Sequence, residues 1–246
     1  LDLENDDDTN FFDIEKAEGS LPPLSLGEVW FNDAKRDVEE FVERWKDDLT
    51  GNKEEPVSIN QELKGIRIRG ELGPFINGKQ VLYRCVKETK GKDRIRTWIR
   101  HLFASAFQEG GKETRFYSLD KKFLSLQPLQ KETALGEISN LISIYEKGMR
   151  KPLPFFPESS YAFACNEQNK SKGGKAKDDL SNETKGVIEA RKKWVSGEHQ
   201  RGEGEDSANQ LCFRDEPFKD PEFENLAFEI YEKFIEISGA EKGLNQ

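Results

Sequence analysis

The sequence predicts a mixed α/β (α+β) domain, a small mixed sheet flanked by helices with helical additions at its C-terminal end. Three observations predict it. Residues 24–49 carry an apolar stripe near helical spacing. Residues 57–86 alternate with period two around an Asn77-Gly78 tight-turn signal. Most patterned stretches beyond residue 130 are helical again.

The 246 residues allow one large domain or one domain with extensions. Only 35% are apolar and 35% are charged, which implies a modest core under a highly charged surface. The first residue is Leu1, which suggests a piece of a longer chain. No apolar run is long enough to span a membrane and no signal-peptide pattern is present. Cys85, Cys165 and Cys212 are scattered, which suits a reducing, cytoplasmic setting. With only His101 and His199, a histidine-built zinc site is not expected.

Residues 1–20 read as an acidic segment with one short helix that needs a neighbour, followed by a turn from Gly19 to Pro23. Residues 21–246 read as the domain. In the Leu24–Leu49 helix, Val29, Trp30, Asp33, Val38, Phe41, Val42 and Trp45 mark the stripe, and Trp30, Phe41 and Trp45 are expected in the core. Val57, Ile59 and Gln61 alternate as one strand and Ile66, Ile68 and Gly70 as the next, with Arg67 and Arg69 on the opposite face. A strand over Val81–Val86 follows the Asn77-Gly78 turn, and Gly91 breaks the chain. Arg94–Phe107 is a helix burying Ile95, Trp98, Ile99, Leu102, Ala106 and Phe107. Strands are expected at Thr114–Leu119 and Phe123–Leu126, then a helix over Lys131–Lys147 burying Leu135, Ile138, Leu141, Ile142 and Tyr145.

The stretch Tyr145–Cys165 (YEKGMRKPLPFFPESSYAFAC) is a helix end joined to a stiff apolar segment. Gly148 is placed to end the helix in the left-handed conformation. Pro152, Pro154 and Pro157 fix φ, so Leu153, Phe155 and Phe156 ride on a rigid rail that should dock on a core. Ser159 to Cys165 reads as a helical turn, with Ser159-Ser160 as a cap rather than a nucleophile. A mobile insertion is expected near 166–180 from its Lys/Gly/Ser content. Asn182–Val195 is a helix, Gly197–Asp206 a loop and Leu211–Phe213 a strand. Pro221 opens the last helix, whose inward residues are Phe223, Leu226, Ala227, Ile230, Phe234 and Ile237.

The formal net charge of −9 opposes free-standing nucleic-acid binding, but the charge is unevenly spread. Residues 1–62 carry 19 acidic and 6 basic side chains. Residues 64–101 carry 11 basic side chains against Glu71, Glu88 and Asp93. This is either two oppositely charged surfaces of one domain, or a basic strip (Lys64, Arg67, Arg69, Arg84, Lys87, Arg94, Arg96, Arg100) that faces phosphates or an acidic partner.

Four stretches carry a family resemblance: Leu21–Asp33 (LPPLSLGEVWFND), Trp98–Leu102 (WIRHL), the Tyr145–Cys165 stretch, and Arg201–Asp206 (RGEGED) running on to Leu211–Arg214 (LCFR). In this order the chain resembles the C-terminal part of the gamma subunit of exodeoxyribonuclease V, the RecC family of RecBCD helicase–nucleases, over roughly residues 21–235. The resemblance implies a degenerate PD-(D/E)xK nuclease-like fold without catalysis of its own. It also implies beta (RecB) and alpha (RecD) type helicase subunits as partners, DNA inside the complex, and Mg²⁺ and ATP used by those partners, with no cofactor in this chain.

An antiparallel hairpin, a helix and a further strand are the core plan of that nuclease fold. An active member needs one acid on the hairpin and an Asp/Glu-x-Lys on the next strand, to hold Mg²⁺ and activate water. The resemblance puts Gly73 at the first position and Arg84 and Val86 near the other two, so no catalytic residue is expected. A formal alternative reads Glu71 and Glu88 as metal ligands with Lys90. That triplet is common in so charged a chain, and Arg67, Arg69, Arg84 and Lys87 nearby would repel a cation.

The remaining candidates are weaker. Arg201–Gly204 has a Gly-x-Gly but no Walker context, so an acidic turn against a basic neighbour is expected. His101 on its amphipathic helix is expected to be structural. Three functions stand: a non-catalytic scaffold domain, a Mg²⁺-dependent nuclease using Glu71, Glu88 and Lys90, or a free DNA-binding module using the basic strip.

Overall fold

The computed structural model describes residues 8–108, 110–120, 122–171, 183–197, 201–239 and 242–243. In chain order the elements are α1 (Asp8–Ala17), α2 (Ser25–Leu49), β1 (Lys53–Glu54), β2 (Val57–Leu63), β3 (Ile66–Leu72), β4 (Phe75–Ile76), β5 (Lys79–Tyr83) and α3 (Gly91–Phe107). Then come β6 (Thr114–Tyr117), β7 (Lys122–Leu126), α4 (Lys131–Gly148), α5 (Pro157–Ser171), α6 (Lys185–Trp194), α7 (Ser207–Cys212), α8 (Pro221–Ile237) and β8 (Lys242–Gly243). This is the mixed α/β class that the sequence predicts.

The main sheet has the order β1-β4-β5-β6-β7-β8. Its central pair, β5 and β6, is parallel, with Val81 opposite Arg115, and α3 makes the crossover between them. The neighbouring pairs are antiparallel. The β4–β5 hairpin turns on Asn77-Gly78, whose φ values of 51° and 76° are those of a tight hairpin turn. β2 and β3 form a separate antiparallel ribbon that turns at Lys64-Gly65 with φ of 51° and 76°.

Adjacent strand residues point to opposite faces, and the sheet uses both. Tyr117 joins Val81 and Ile76 in a cluster with Phe41, Trp45 and Leu49 of α2. Its neighbour Phe116 joins Leu124 and Leu126 in a larger cluster with Trp98 and Leu102 of α3, Ile138 of α4, and Leu226, Ile230 and Phe234 of α8. The sheet therefore lies between α2 and a layer made by α3, α4 and α8. Polar contacts fix α2 on its face: Trp45 Nε1 donates to the Ser118 carbonyl (3.2 Å), and Arg115 pairs with Asp48 (2.9 Å).

The proline rail docks on a core, as its composition predicts. Phe156 is fully buried, with ring centroids 4.6 Å from Trp194, 5.1 Å from Phe213 and 6.3 Å from Phe223. Tyr231 Oη of α8 donates to the Pro157 carbonyl (2.9 Å). At the same place Gly91 N–H donates to the Glu158 carboxylate, so the starts of α3 and α5 touch.

Several local expectations change. Gly91 opens α3 rather than breaking the chain, because a Cβ there would overlap the Pro157 carbonyl. Gly148 stays helical and α4 runs to it, with Met149 following in the α region. Tyr145 is exposed on α4, whose buried line passes through Ala134, Ile138 and Ile144. Ile99 is exposed on α3 and Trp30 on α2, where the helix runs beyond the sheet. The strand over Val81–Val86 ends at Tyr83, and Cys85 is exposed. α5 is longer than a turn and includes residues 166–171 of the stretch expected to be mobile; the rest of that stretch, 172–180, lies outside the described residues. Leu211 and Cys212 end a short helix rather than a strand, because the Asp206 carboxylate caps its start by accepting Ala208 N–H (3.0 Å).

The Arg201–Gly204 loop also departs from expectation. Arg201 and Glu205 do pair (3.7 Å), but Glu203 turns inward. Its carboxylate accepts the N–H groups of Glu158 (3.0 Å) and Ser159 (2.8 Å) and the Ser159 hydroxyl (2.8 Å), capping α5 from far along the chain. Both glycines permit this fold-back. A Cβ on Gly202 would overlap the Trp194 carbonyl, and one on Gly204 would sit 2.7 Å from the Trp194 indole.

Candidate nucleic-acid interface

A groove of about 400 Å³ opens between the end of β5 and α3. Leu82, Tyr83 and Arg84 line it from the strand side and Pro74 from the preceding loop. Asp93, Arg96, Thr97 and Arg100 line it from α3. Spacings of three, four and seven put those four on one face of the helix. The crossover helix packs beside the strand it follows, and so brings Arg96 and Arg100 alongside Arg84.

The three guanidinium groups are held differently. Arg84 Nη1 pairs with the buried Asp93 at 2.8 Å, while about half of the Arg84 side chain remains exposed. Asp93 also accepts Lys90 N–H (3.2 Å), an N3 acid turned back on the helix start. Arg100 Nη1 donates to the Gly73 carbonyl (3.0 Å), which ties the helix to the loop ahead of β4. Arg96 is exposed at the groove. Thr97 lines the same groove at 1% exposure, and its hydroxyl has no partner among the described residues. Three arginines against one carboxylate leave the groove with net positive charge, and Tyr83 adds a partly exposed ring. Such a surface suits an anion with a planar neighbour, the pairing a nucleotide offers.

The other strip residues lie elsewhere. Arg67 and Arg69 are exposed on the β2–β3 ribbon, opposite Glu62 and Asn60. Lys64 at its turn donates to Ser143 Oγ of α4 (2.6 Å). Lys87 is exposed in the loop between β5 and α3. Arg94 turns away from the groove: Nη1 donates to the Thr89 carbonyl (2.6 Å), and the guanidinium lies 4.4 Å from the Tyr161 ring centroid. The structure thus brings Arg84, Arg96 and Arg100 together and leaves the other five apart. Asp93, Thr97 and Tyr83 were not singled out by sequence. The acid three residues after Lys90 was the available signal for Asp93, hidden by starting the helix at Arg94.

Glu71 is exposed on β3 opposite Ser58, and Glu88 is exposed in the loop after β5. Among the described residues no three His, Cys, Asp or Glu side chains gather where they could hold a metal ion. The groove itself does not fit Mg²⁺: its one carboxylate is already paired with Arg84, and the other charged groups are cations. His101 is fully buried on the inner side of α3, with Nδ1 2.9 Å from Thr114 Oγ1 and Nε2 3.4 Å from Ser105 Oγ. Burial holds its pKa down at about 4.

The model of the RecC C-terminal domain matches residues 1–168. The chain belongs to this family. The match takes in the acidic first twenty residues as well as strands β1 to β7, the groove and most of α5. Among curated relatives, RecBCD enzyme subunit RecC of Escherichia coli (strain K12) is 25% identical over 216 residues, 86% of this chain and 18% of that protein. RecBCD enzyme subunit RecC of Haemophilus influenzae (strain ATCC 51907 / DSM 11121 / KW20 / Rd) is 28% identical over 149 residues, 56% of this chain and 13% of that protein. The chain thus spans less than a fifth of the length of these RecC relatives. Among the described residues no helix is long and apolar enough to cross a membrane.

Proposed function

We propose that this chain is a non-catalytic domain of a RecBCD-type helicase–nuclease that acts in double-strand-break repair by recombination, in the bacterial cytoplasm. In this reading it contacts beta (RecB) and alpha (RecD) type helicase subunits and contributes to duplex splitting and strand channelling, while Mg²⁺ and ATP serve those partners. One observation carries the reading. A hairpin, a crossover helix and a parallel strand fit the plan that the resemblance implies, and the groove beside them carries Arg84 from the strand side and Arg96 and Arg100 from the crossover helix, with its one carboxylate, Asp93, already paired. Cations there bind phosphates and oppose a catalytic metal.

The test is a nuclease and binding assay on the purified chain, with linear double- and single-stranded DNA and either Mg²⁺ or Mn²⁺. The reading expects salt-dependent binding and no cleavage. Cleavage that disappears in Glu88→Ala/Lys90→Ala would overturn it and make Glu71 and Glu88 metal ligands.

A further inference from the structure

α2 carries one apolar face that the described residues cover only at one end. Eleven residues separate Trp30 from Phe41, which brings the two within about 20° of each other around the helix and about 16 Å apart along it. Phe41 and Trp45 are buried on the sheet, whereas Trp30 is 59% exposed. Leu26, Trp30, Ala34 and Val38 follow at intervals of four, an unbroken ridge of the kind that seats another helix. All four are exposed, Leu26 at 51% and Val38 at 37%, and Val29 beside them is exposed at 55%. α1 leaves Leu26, Trp30 and Val38 exposed: its Phe11 and Phe12 pack on Phe31, about 100° around α2 from Trp30.

Charge says what would cover it. Residues 11–43 carry nine acidic side chains against Lys16, Lys35 and Arg36. Asp37 lies beside the ridge, while Asp33 is already paired with Arg36 (2.9 Å). A second copy meeting the same face across a two-fold axis would oppose acid with acid. A basic amphipathic helix answers both the ridge and the charge.

We infer that the Leu26–Val38 ridge is a docking surface for a protein partner, an apolar helix flanked by lysine or arginine. The inference rests on the reading above, in that the partner belongs to one of the helicase-type subunits. Its test is assembly. The complete subunit containing this chain is co-expressed with both helicase-type subunits, and the complex is quantified by size-exclusion chromatography.

Leu26→Asp/Trp30→Asp is expected to cut recovered complex at least tenfold, with an unchanged melting curve of the subunit; a lowered melting curve would place the ridge inside the subunit itself and overturn the inference. Asp37→Lys is expected to cut it severalfold, and Leu211→Asp, on exposed α7, to leave it unchanged. Full recovery of Leu26→Asp/Trp30→Asp would overturn the inference while leaving the proposed function standing. Loss with that variant but not with Asp37→Lys would overturn the basic character of the partner. A ridge-dependent dimer in place of the complex would put a second copy there instead. Wild-type protein that joins neither helicase-type subunit would overturn the proposed function, and this inference with it.

Discussion

The Glu203 carboxylate caps the helix that begins at Pro157, accepting both N–H and O–H from Ser159 at 2.8 Å. Burial raises its pKa, against the lowering effect of these hydrogen bonds. Glu203→Ala removes three hydrogen bonds at a helix start and is expected to cost about 2 kcal/mol. A melting-temperature drop of roughly 4–8 °C would register it.

The same group has a definite pH signature. A carboxyl whose pKa is higher folded than unfolded contributes stability that is fully present below the unfolded value and is lost as pH rises through the folded value. Glu203→Gln, which cannot ionise, should therefore compare less favourably with wild type near pH 4 than near pH 7. Denaturant titrations of the two proteins across that range check the sign, and a difference that grows with pH would contradict it.

His101 acts in the opposite direction. Its folded pKa of about 4 lies below the ordinary 6.5, because the buried ring resists charging. The unfolded chain takes up a proton that the folded one refuses, so stability falls as pH drops from about 6.5 to about 4. The loss is of order 3 kcal/mol. His101→Asn should flatten this part of the stability–pH curve while lowering stability at neutral pH.

In the groove, Arg96→Ala/Arg100→Ala is expected to weaken binding of a labelled single-stranded oligonucleotide about tenfold. It should also reduce the slope of log K against log salt by about 1.5, the loss of two phosphate contacts. Arg67→Ala/Arg69→Ala, on the separate ribbon, should change both far less. Fluorescence anisotropy at several salt concentrations distinguishes the two pairs.

Gly91→Ala would drive a methyl into the Pro157 carbonyl, and Gly204→Ala one into the Trp194 ring. The first meets backbone at 2.3 Å and is expected to cost about 3 kcal/mol; the second meets the Trp194 ring at 2.7 Å and its carbonyl at 3.0 Å, and should cost less. Chemical denaturation of the two variants orders them.

The elements were legible wherever one period dominated, as in α2, α8 and the Asn77-Gly78 hairpin. What sequence could not show was where a neighbour ends. Trp30 and Trp45 share one face of one helix, and only the edge of the sheet makes the second core and the first surface. The groove was half legible. Arg84, Arg96 and Arg100 stood out by charge, but so did Arg94, whose turn toward Tyr161 depends on a helix 67 residues further on. Glu203 was hidden for the same reason, since its cap spans 44 residues and no local pattern records such a pairing.

The family match ends at residue 168, yet the groups that complete its last helix start come later. Phe156 rests on Trp194, Phe213 and Phe223, Ser159 on Glu203, and Pro157 on Tyr231. A ribosome that has made only the matched part has made the residues of β1 to β7 and of the helices up to α4, but none of the groups on which Phe156 rests. Phe155 and Phe156 meet their aromatic partners only once the chain has been made through Tyr231.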